Sequence, residues 1–180
     1  MGEQKKLLGE ERRAIILSLL KESSEPITGS DLAARANVSR QIIVGDITLL
    51  KAKNEPIIAT SQGYLYLKQN AQSPVYEKTV ACFHPPEKTE QELLAIVDEG
   101  VTIKDVKIEH PVYGDLTASI MVSNRPEVAN FMKKIRETNA SFLSELTGGY
   151  HLHTLTANSK EALERAEQTL QKSGFLIPNA

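Results

Sequence analysis

The stretch 147–155, Thr-Gly-Gly-Tyr-His-Leu-His-Thr-Leu, is the strongest constraint in this sequence. Apolar and β-branched residues alternating with polar ones after a Gly-Gly turn describe a β-strand. Side chains two residues apart on a strand leave it on the same side. His151 and His153 therefore share one face, and Tyr150, Leu152 and Thr154 take the other. The chain has four histidines. Two of them on one strand face mark a candidate site, so the fold has to supply a sheet that carries it.

The first third predicts a compact helical reader of DNA. Apolar residues Ala14, Ile15, Ile16, Leu17, Leu19 and Leu20 among charges give a helix over 10–21 with a broad buried side. Pro26 cannot continue it. Thr28 or Ser30 can cap a second helix over 31–35, and Asn37, tolerant of the left-handed conformation, ends it. Val38 plugs the turn. Ser39 is placed to cap a third helix reaching about residue 53, with Ile43, Ile47 and Leu50 inward. Extended runs over 56–60 and 64–68 around Ser61-Gln62-Gly63 form a hairpin. This is the order of a winged helix-turn-helix. Its third helix would enter the major groove, where Ser39, Arg40 and Gln41 reach base edges, Arg pairing with guanine and Gln with adenine. Lys51 and Lys53, with Ser61 and Gln62 in the wing, would meet phosphates. Leu32-Ala33-Ala34, Ala36-Asn37-Val38-Ser39-Arg40-Gln41, Asp46-Ile47 and Leu50 resemble the biotin-repressor-type winged helix of bacterial regulators. Gly45 departs from it, since Gly inside a helix costs about 1 kcal/mol against Ala.

The polar run 69–73 breaks the periodicity and reads as a linker, giving domains over 1–70 and 74–180. Beyond it come a strand over 75–83, a helix over 90–99, strands over 101–109 and 115–122, a helix over 126–137, the histidine strand, and a helix over 160–172. The expected class is α+β: a winged helix followed by a ferredoxin-like βαββαβ domain with an extra C-terminal helix. In that topology the strand order is 4-1-3-2 and the first and fourth strands are antiparallel neighbours. His84 closes the first and His151 opens the fourth, about 5 Å apart. Glu92 lies in the first turn of the intervening helix at the same edge. Three imidazoles and a carboxylate at His84, Glu92, His151 and His153 suit one transition metal ion per chain, zinc, nickel or iron. Thr89-x-x-Glu92 is also a capping box, which alone would account for Glu92. His110 ends the second strand about 10 Å from His84, and with Tyr113 in the turn His110-Pro111-Val112-Tyr113-Gly114 it is expected to touch ligand, support the site or shape the turn. Cys82, inside an apolar strand, reads as a small core residue more readily than as a thiolate ligand.

Composition narrows the class further. The front 70 residues carry ten basic against eight acidic side chains and the remainder eleven against fifteen, a weak polarity that fits a DNA-contacting module joined to something else. One cysteine excludes an internal disulfide, no signal peptide follows Met1, and no apolar run spans a bilayer, so a cytoplasmic protein away from membranes is expected.

Taken together, His84, Glu92-Leu93-Leu94, Asp105-Val106, residues 109–114, Leu146-Thr147-Gly148-Gly149, His151-Leu152-His153-Thr154 and Gly174-Phe175-Leu176 resemble the three-histidine (3H) domain. With a winged helix in front, nearly the whole chain is similar to the niacin-responsive repressors of NAD biosynthesis. The resemblance implies a homodimeric repressor of NAD-synthesis or niacin-uptake genes that binds operator DNA with nicotinic acid as co-repressor, and it places metal ligands at His84, Glu92, His151 and His153. Two other classes use the same residues: a metal-responsive transcription factor with the metal as effector, and a metal-dependent hydrolase. No nucleophile arrangement or phosphate-binding loop supports the enzyme, since Gly148-Gly149 alone is too little. A non-enzymatic sensor is the expectation.

Overall fold

The computed structural model describes residues 8–67 and 75–178. The chain divides into two compact units, Met1–Ala71 and Gln72–Ala180. The expected linker at 69–73 and the last residue of the expected second wing strand, Lys68, lie outside the described residues.

In the first unit, α1 (Gly9–Glu22), α2 (Gly29–Ala36) and α3 (Arg40–Ala52) precede a hairpin of β1 (Ile57–Ala59) and β2 (Tyr64–Tyr66). Thr28 caps α2, its hydroxyl accepting the Asp31 N–H at 3.1 Å, and Asn37 ends it in the left-handed conformation. Ser39 stands at the start of α3, but its hydroxyl makes no capping bond there. That expectation is corrected: the residue holds the position and its side chain is left exposed. Ile16, Leu20, Leu32, Ile43, Ile47 and Leu50 close a core in which Val38 and Tyr64 also pack. The wing is fixed at its base, because Ile27 and Tyr64 exchange backbone bonds of 2.9 and 2.8 Å. Gly63 makes this possible. A Cβ there would sit 2.5 Å from the Ile27 carbonyl oxygen, and its φ is +142°.

Asp46 is the surprise of this unit. It lies on the buried face of α3, 3 % exposed, where Arg12 Nε reaches Oδ2 at 2.6 Å and the η-nitrogens of Arg12 and Arg13 reach Oδ1 at 3.2 and 3.3 Å. This ion pair ties α3 to α1.

The second unit alternates β3 (Tyr76–Phe83), α4 (Thr89–Val97), β4 (Thr102–His110), β5 (Gly114–Val122), α5 (Arg125–Thr138), β6 (Tyr150–Ala157) and α6 (Lys160–Lys172). The α+β class and the βαββαβ element order with its final helix hold. The strand order does not. It is β3-β6-β4-β5, so counted within this unit it is 1-4-2-3 in place of 4-1-3-2. Both orders leave a one-strand gap between the first two parallel strands. The fourth strand fills it here because β6 is buried along most of its length, whereas β5 begins with exposed Gly114 and Asp115 and suits an edge. The other edge is covered: Phe83 N–H donates to the Phe175 carbonyl and Ile177 N–H to the Ala81 carbonyl, laying the chain's end beside β3.

The helices lie over one face of the sheet, and Val80, Leu93, Ile96, Ile103, Val122, Leu155 and Leu170 are among the residues of the core between them. Asn124 and Ser159 cap α5 and α6 through bonds to Glu127 and Ala162 N–H.

Removing one partner of a buried ion pair strands the other, at a cost of about 3 kcal/mol. Asp46→Ala is therefore expected to lower the stability of the first unit by about that amount in urea unfolding, with the second unit's transition unmoved. A loss below about 0.5 kcal/mol would mean the pair is no more than a surface contact.

Candidate functional site

β3 and β6 pair antiparallel with Cys82 opposite His151 and Val80 opposite His153. The inward face of this ladder therefore carries Cys82, His151 and His153 side by side, and His84 follows at the end of β3. α4 brings Glu92 over them. Its carboxylate is fully buried, with His84 Nε2 at 2.7 Å from Oε2 and the Nε2 atoms of His151 and His153 each at 3.3 Å. The capping-box explanation of Glu92 fails, because α4 starts at Thr89 itself with Lys88 at the cap position, and no side-chain cap forms.

The tautomers follow from the other ring nitrogen. His84 Nδ1 lies 2.9 Å from the Pro85 carbonyl, His151 Nδ1 2.9 Å from Gly149, and His153 Nδ1 2.8 Å from Asp105. A carbonyl only accepts, so each Nδ1 carries its proton. A neutral ring then presents a bare Nε2 lone pair to Glu92. Three lone pairs facing a buried carboxylate repel unless protons or a cation lie among them. Ligand atoms about 2.1 Å from one shared ion stand about 3.0–3.4 Å apart, and the three Glu92–histidine separations, 2.7 to 3.3 Å, are near that range. Imidazole and carboxylate are donor types that transition metals take, and the backbone carbonyls make the outer hydrogen bonds such ligands use.

In the absence of a metal ion the Glu92 charge favours protons on His84 and His153. Burial, the largest single influence, pulls His84 and His153 down, but the hydrogen bonds and negative charge of Glu92, with the backbone carbonyls, outweigh it and leave both above the ordinary histidine value of 6.5. Burial likewise pushes Glu92 up, yet the His153 charge and the three histidine hydrogen bonds hold it well below the ordinary 4.5. Cys82 is fully buried in the core, as expected. Its Sγ also shares a group with Glu92 and His151 whose ligand atoms all lie within 4.8 Å of one another, and burial and the Glu92 charge push the thiol up.

Two backbone devices shape the site, and neither was read from the sequence. Gly149, at φ +105°, passes so close to β3 that a Cβ would meet the His84 carbonyl oxygen at 2.6 Å, and its own carbonyl orients His151. The β4 register shifts between Ile103 and Asp105, and at that irregularity the Asp105 carbonyl meets His153. Their only sequence signal was Gly-Gly before the histidines.

A cavity of about 200 Å³ opens onto the cluster. Its polar lining residues are Thr89, Glu92, Ser141, Ser144, His151 and His153, and Val106, Ile120, Phe131, Ile135 and Phe142 are among the apolar ones. It is smaller than the roughly 300–1,000 Å³ typical of drug-sized ligands, so a one-ring molecule fits its scale.

His110 and Tyr113 are not part of this assembly. The Nδ1 of His110 accepts the backbone N–H groups of Val112 and Tyr113 at 3.1 and 3.3 Å, the reverse tautomer of the other three. The Tyr113 ring lies tilted against it, centroids 5.0 Å apart, from an exposed position at the hairpin tip. Of the roles expected for His110, shaping the turn is the one its contacts display.

In the first unit Ser39, Arg40, Gln41, Lys51 and Lys53 are all exposed along or beside α3, with Gly45 and Thr48 between them. Gly45 has no atom within 4 Å of where a Cβ would stand.

Against families, residues 12–65 match an HTH domain and residues 77–179 the 3H domain. The chain is 60% identical over 178 residues to the transcription repressor NadR of Bacillus subtilis, covering 98% of this chain and 99% of that one. It is 41% identical over 172 residues to the probable transcription repressor NiaR of Thermotoga maritima, covering 96% and 97%. Helix-turn-helix and three-histidine domain together define a bacterial transcription repressor rather than an enzyme. The chain belongs to the 3H-domain repressors of the NadR and NiaR type. No helix among the described residues is long and apolar enough to cross a membrane.

The shifts fix a pH signature. Groups raised in the fold stabilise it below their unfolded pKa and lose that effect as pH rises through the folded value; a depressed carboxylate stabilises it above its unfolded pKa. In chelator, the cluster's contribution to the second unit should be greatest between pH 4.5 and 6.5 and decline toward mildly alkaline pH. Excess zinc or nickel should reverse that decline, because ligation needs the protons gone. Thermal melts that rise with pH in chelator would contradict it.

Proposed function

We propose that this repressor binds operator DNA upstream of NAD-synthesis or niacin-uptake genes as a cytoplasmic homodimer, with nicotinic acid as co-repressor and one transition metal ion per chain, nickel, zinc or iron, held by His84, Glu92, His151 and His153. The observation that carries the reading is a single pocket that joins an apolar, aromatic-walled space to a buried His₃Glu cluster. A pyridine carboxylate has the matching halves, a flat apolar ring and hard acceptor atoms. Bound at the cluster, the ion would supply a fixed positive charge for one of those acceptors. Phe131 and Phe142 would flank the ring and exclude water.

On the DNA side, Ser39, Arg40 and Gln41, exposed at the start of α3, would reach base edges, and the exposed Lys51 and Lys53 would meet phosphates. Two-fold operators are read by two-fold proteins, which supports the dimer. Nicotinic acid tightens operator binding only to the extent that it prefers the DNA-competent state.

The test is calorimetric titration of nicotinic acid into metal-loaded and metal-stripped protein. Loaded protein is expected to bind one equivalent per chain, and stripped protein to bind at least about tenfold more weakly, a difference of about 1.4 kcal/mol. Unchanged binding by stripped protein would separate the effector from the cluster and overturn this reading of the site.

A further inference from the structure

Among the described residues, one buried side-chain polar atom has no hydrogen-bond partner: Thr89 Oγ1. Thr89 is 7 % exposed, and it lines the cavity beside Glu92. A buried hydroxyl without a partner carries a desolvation cost and calls for an explanation.

Its neighbours supply one. A threonine within a helix commonly donates to the carbonyl four residues back, which for Thr89 is Pro85. That oxygen is already engaged twice, by Lys88 N–H at 3.1 Å and by the His84 ring Nδ1–H at 2.9 Å. A carbonyl has two lone pairs, so the acceptor that fixes the His84 tautomer is closed to Thr89. The capping alternative is closed as well, since the preceding 3-10 turn Pro86–Lys88 runs directly into α4 and Thr89 falls inside the helix. Glu92, its would-be capping-box partner, faces the histidines. The hydroxyl is left without an internal acceptor, in a residue that lines the cavity.

We infer that Thr89 is the residue by which the pocket fixes its ligand's polar atom: its hydroxyl donates to an acceptor of the bound pyridine carboxylate, setting how the ring lies against the Glu92 and histidine end. This rests on the co-repressor reading above and adds a specificity-determining residue to it. Nicotinic acid carries acceptors and no donor as the anion, so the hydroxyl is the donor and the orientation follows from where its proton goes.

The test compares the unaltered protein with Thr89→Val and Thr89→Ser, all metal-loaded, by calorimetry with nicotinic acid, metal content and ligand-free thermal melting. Thr89→Val should bind nicotinic acid about tenfold or more weakly, load metal as before, and melt no lower than the unaltered protein, because an unpaired buried hydroxyl contributes nothing to the empty fold. Thr89→Ser should bind within about threefold of the unaltered protein, since it keeps the donor. Undiminished binding by Thr89→Val overturns the assignment, as does a lowered ligand-free melting temperature, which would show the hydroxyl serving the fold. If the unaltered protein binds no nicotinic acid at all, the co-repressor reading falls and this assignment with it.

Discussion

Glu92 is a carboxylate with no exposure to water, held well below its ordinary pKa by three histidines, and among the described residues no lysine or arginine pairs with it. Burying such a charge unpaired costs several kcal/mol, and the second unit is arranged around the debt. Three imidazoles, two on β6 and one just past the end of β3, face it, and each is turned by a backbone carbonyl so that the ring's basic nitrogen points inward. Those carbonyls are available because the chain departs from regularity at three places: the Pro85 turn, the left-handed Gly149 and the shifted register at Asp105. The irregular backbone is thus part of the site, and the regular sheet is what holds it in place.

One consequence reaches the cavity. The Pro85 carbonyl orients His84 and, by being occupied, leaves the Thr89 hydroxyl at the start of α4 without an internal partner. The histidine cluster and the cavity wall at Thr89 are therefore linked through a single oxygen atom. In the other unit a comparable buried carboxylate, Asp46, has been given true cations, Arg12 and Arg13, and makes an anchor instead of a site. The difference between the two acids is the difference between a permanent partner and one whose charge depends on protons or on a bound ion.

Much of this was legible in the sequence, for identifiable reasons. His151 and His153 share a face because of the two-residue period, whatever the sheet around them. His84 came beside them because the first and fourth strands are neighbours in both the expected and the observed order, so an error in strand order left the cluster intact. The order itself was not legible, since alternation marks a strand but not the place it takes in the sheet; only the burial of β6 on its inner face and at Thr154 set it inside. Glu92 was ambiguous because a capping box and a buried ligand share the pattern Thr-x-x-Glu, and one residue in the helix start decides between them. Asp46 was hidden for a similar reason: an acid within an amphipathic helix looks like solvated surface until Arg12 and Arg13, more than thirty positions earlier, are folded against it. His110 carried the same letter as the others and the opposite tautomer, which only the turn's N–H groups reveal.

The central claim is that occupation of the Glu92 cluster and its cavity governs DNA binding. It is tested most directly by fluorescence anisotropy with DNA from upstream of the organism's own NAD-synthesis genes, with and without nicotinic acid, each with and without chelator. The account predicts specific binding that nicotinic acid tightens and chelator returns to the level seen without it. Specific binding indifferent to nicotinic acid in the presence of metal would contradict it.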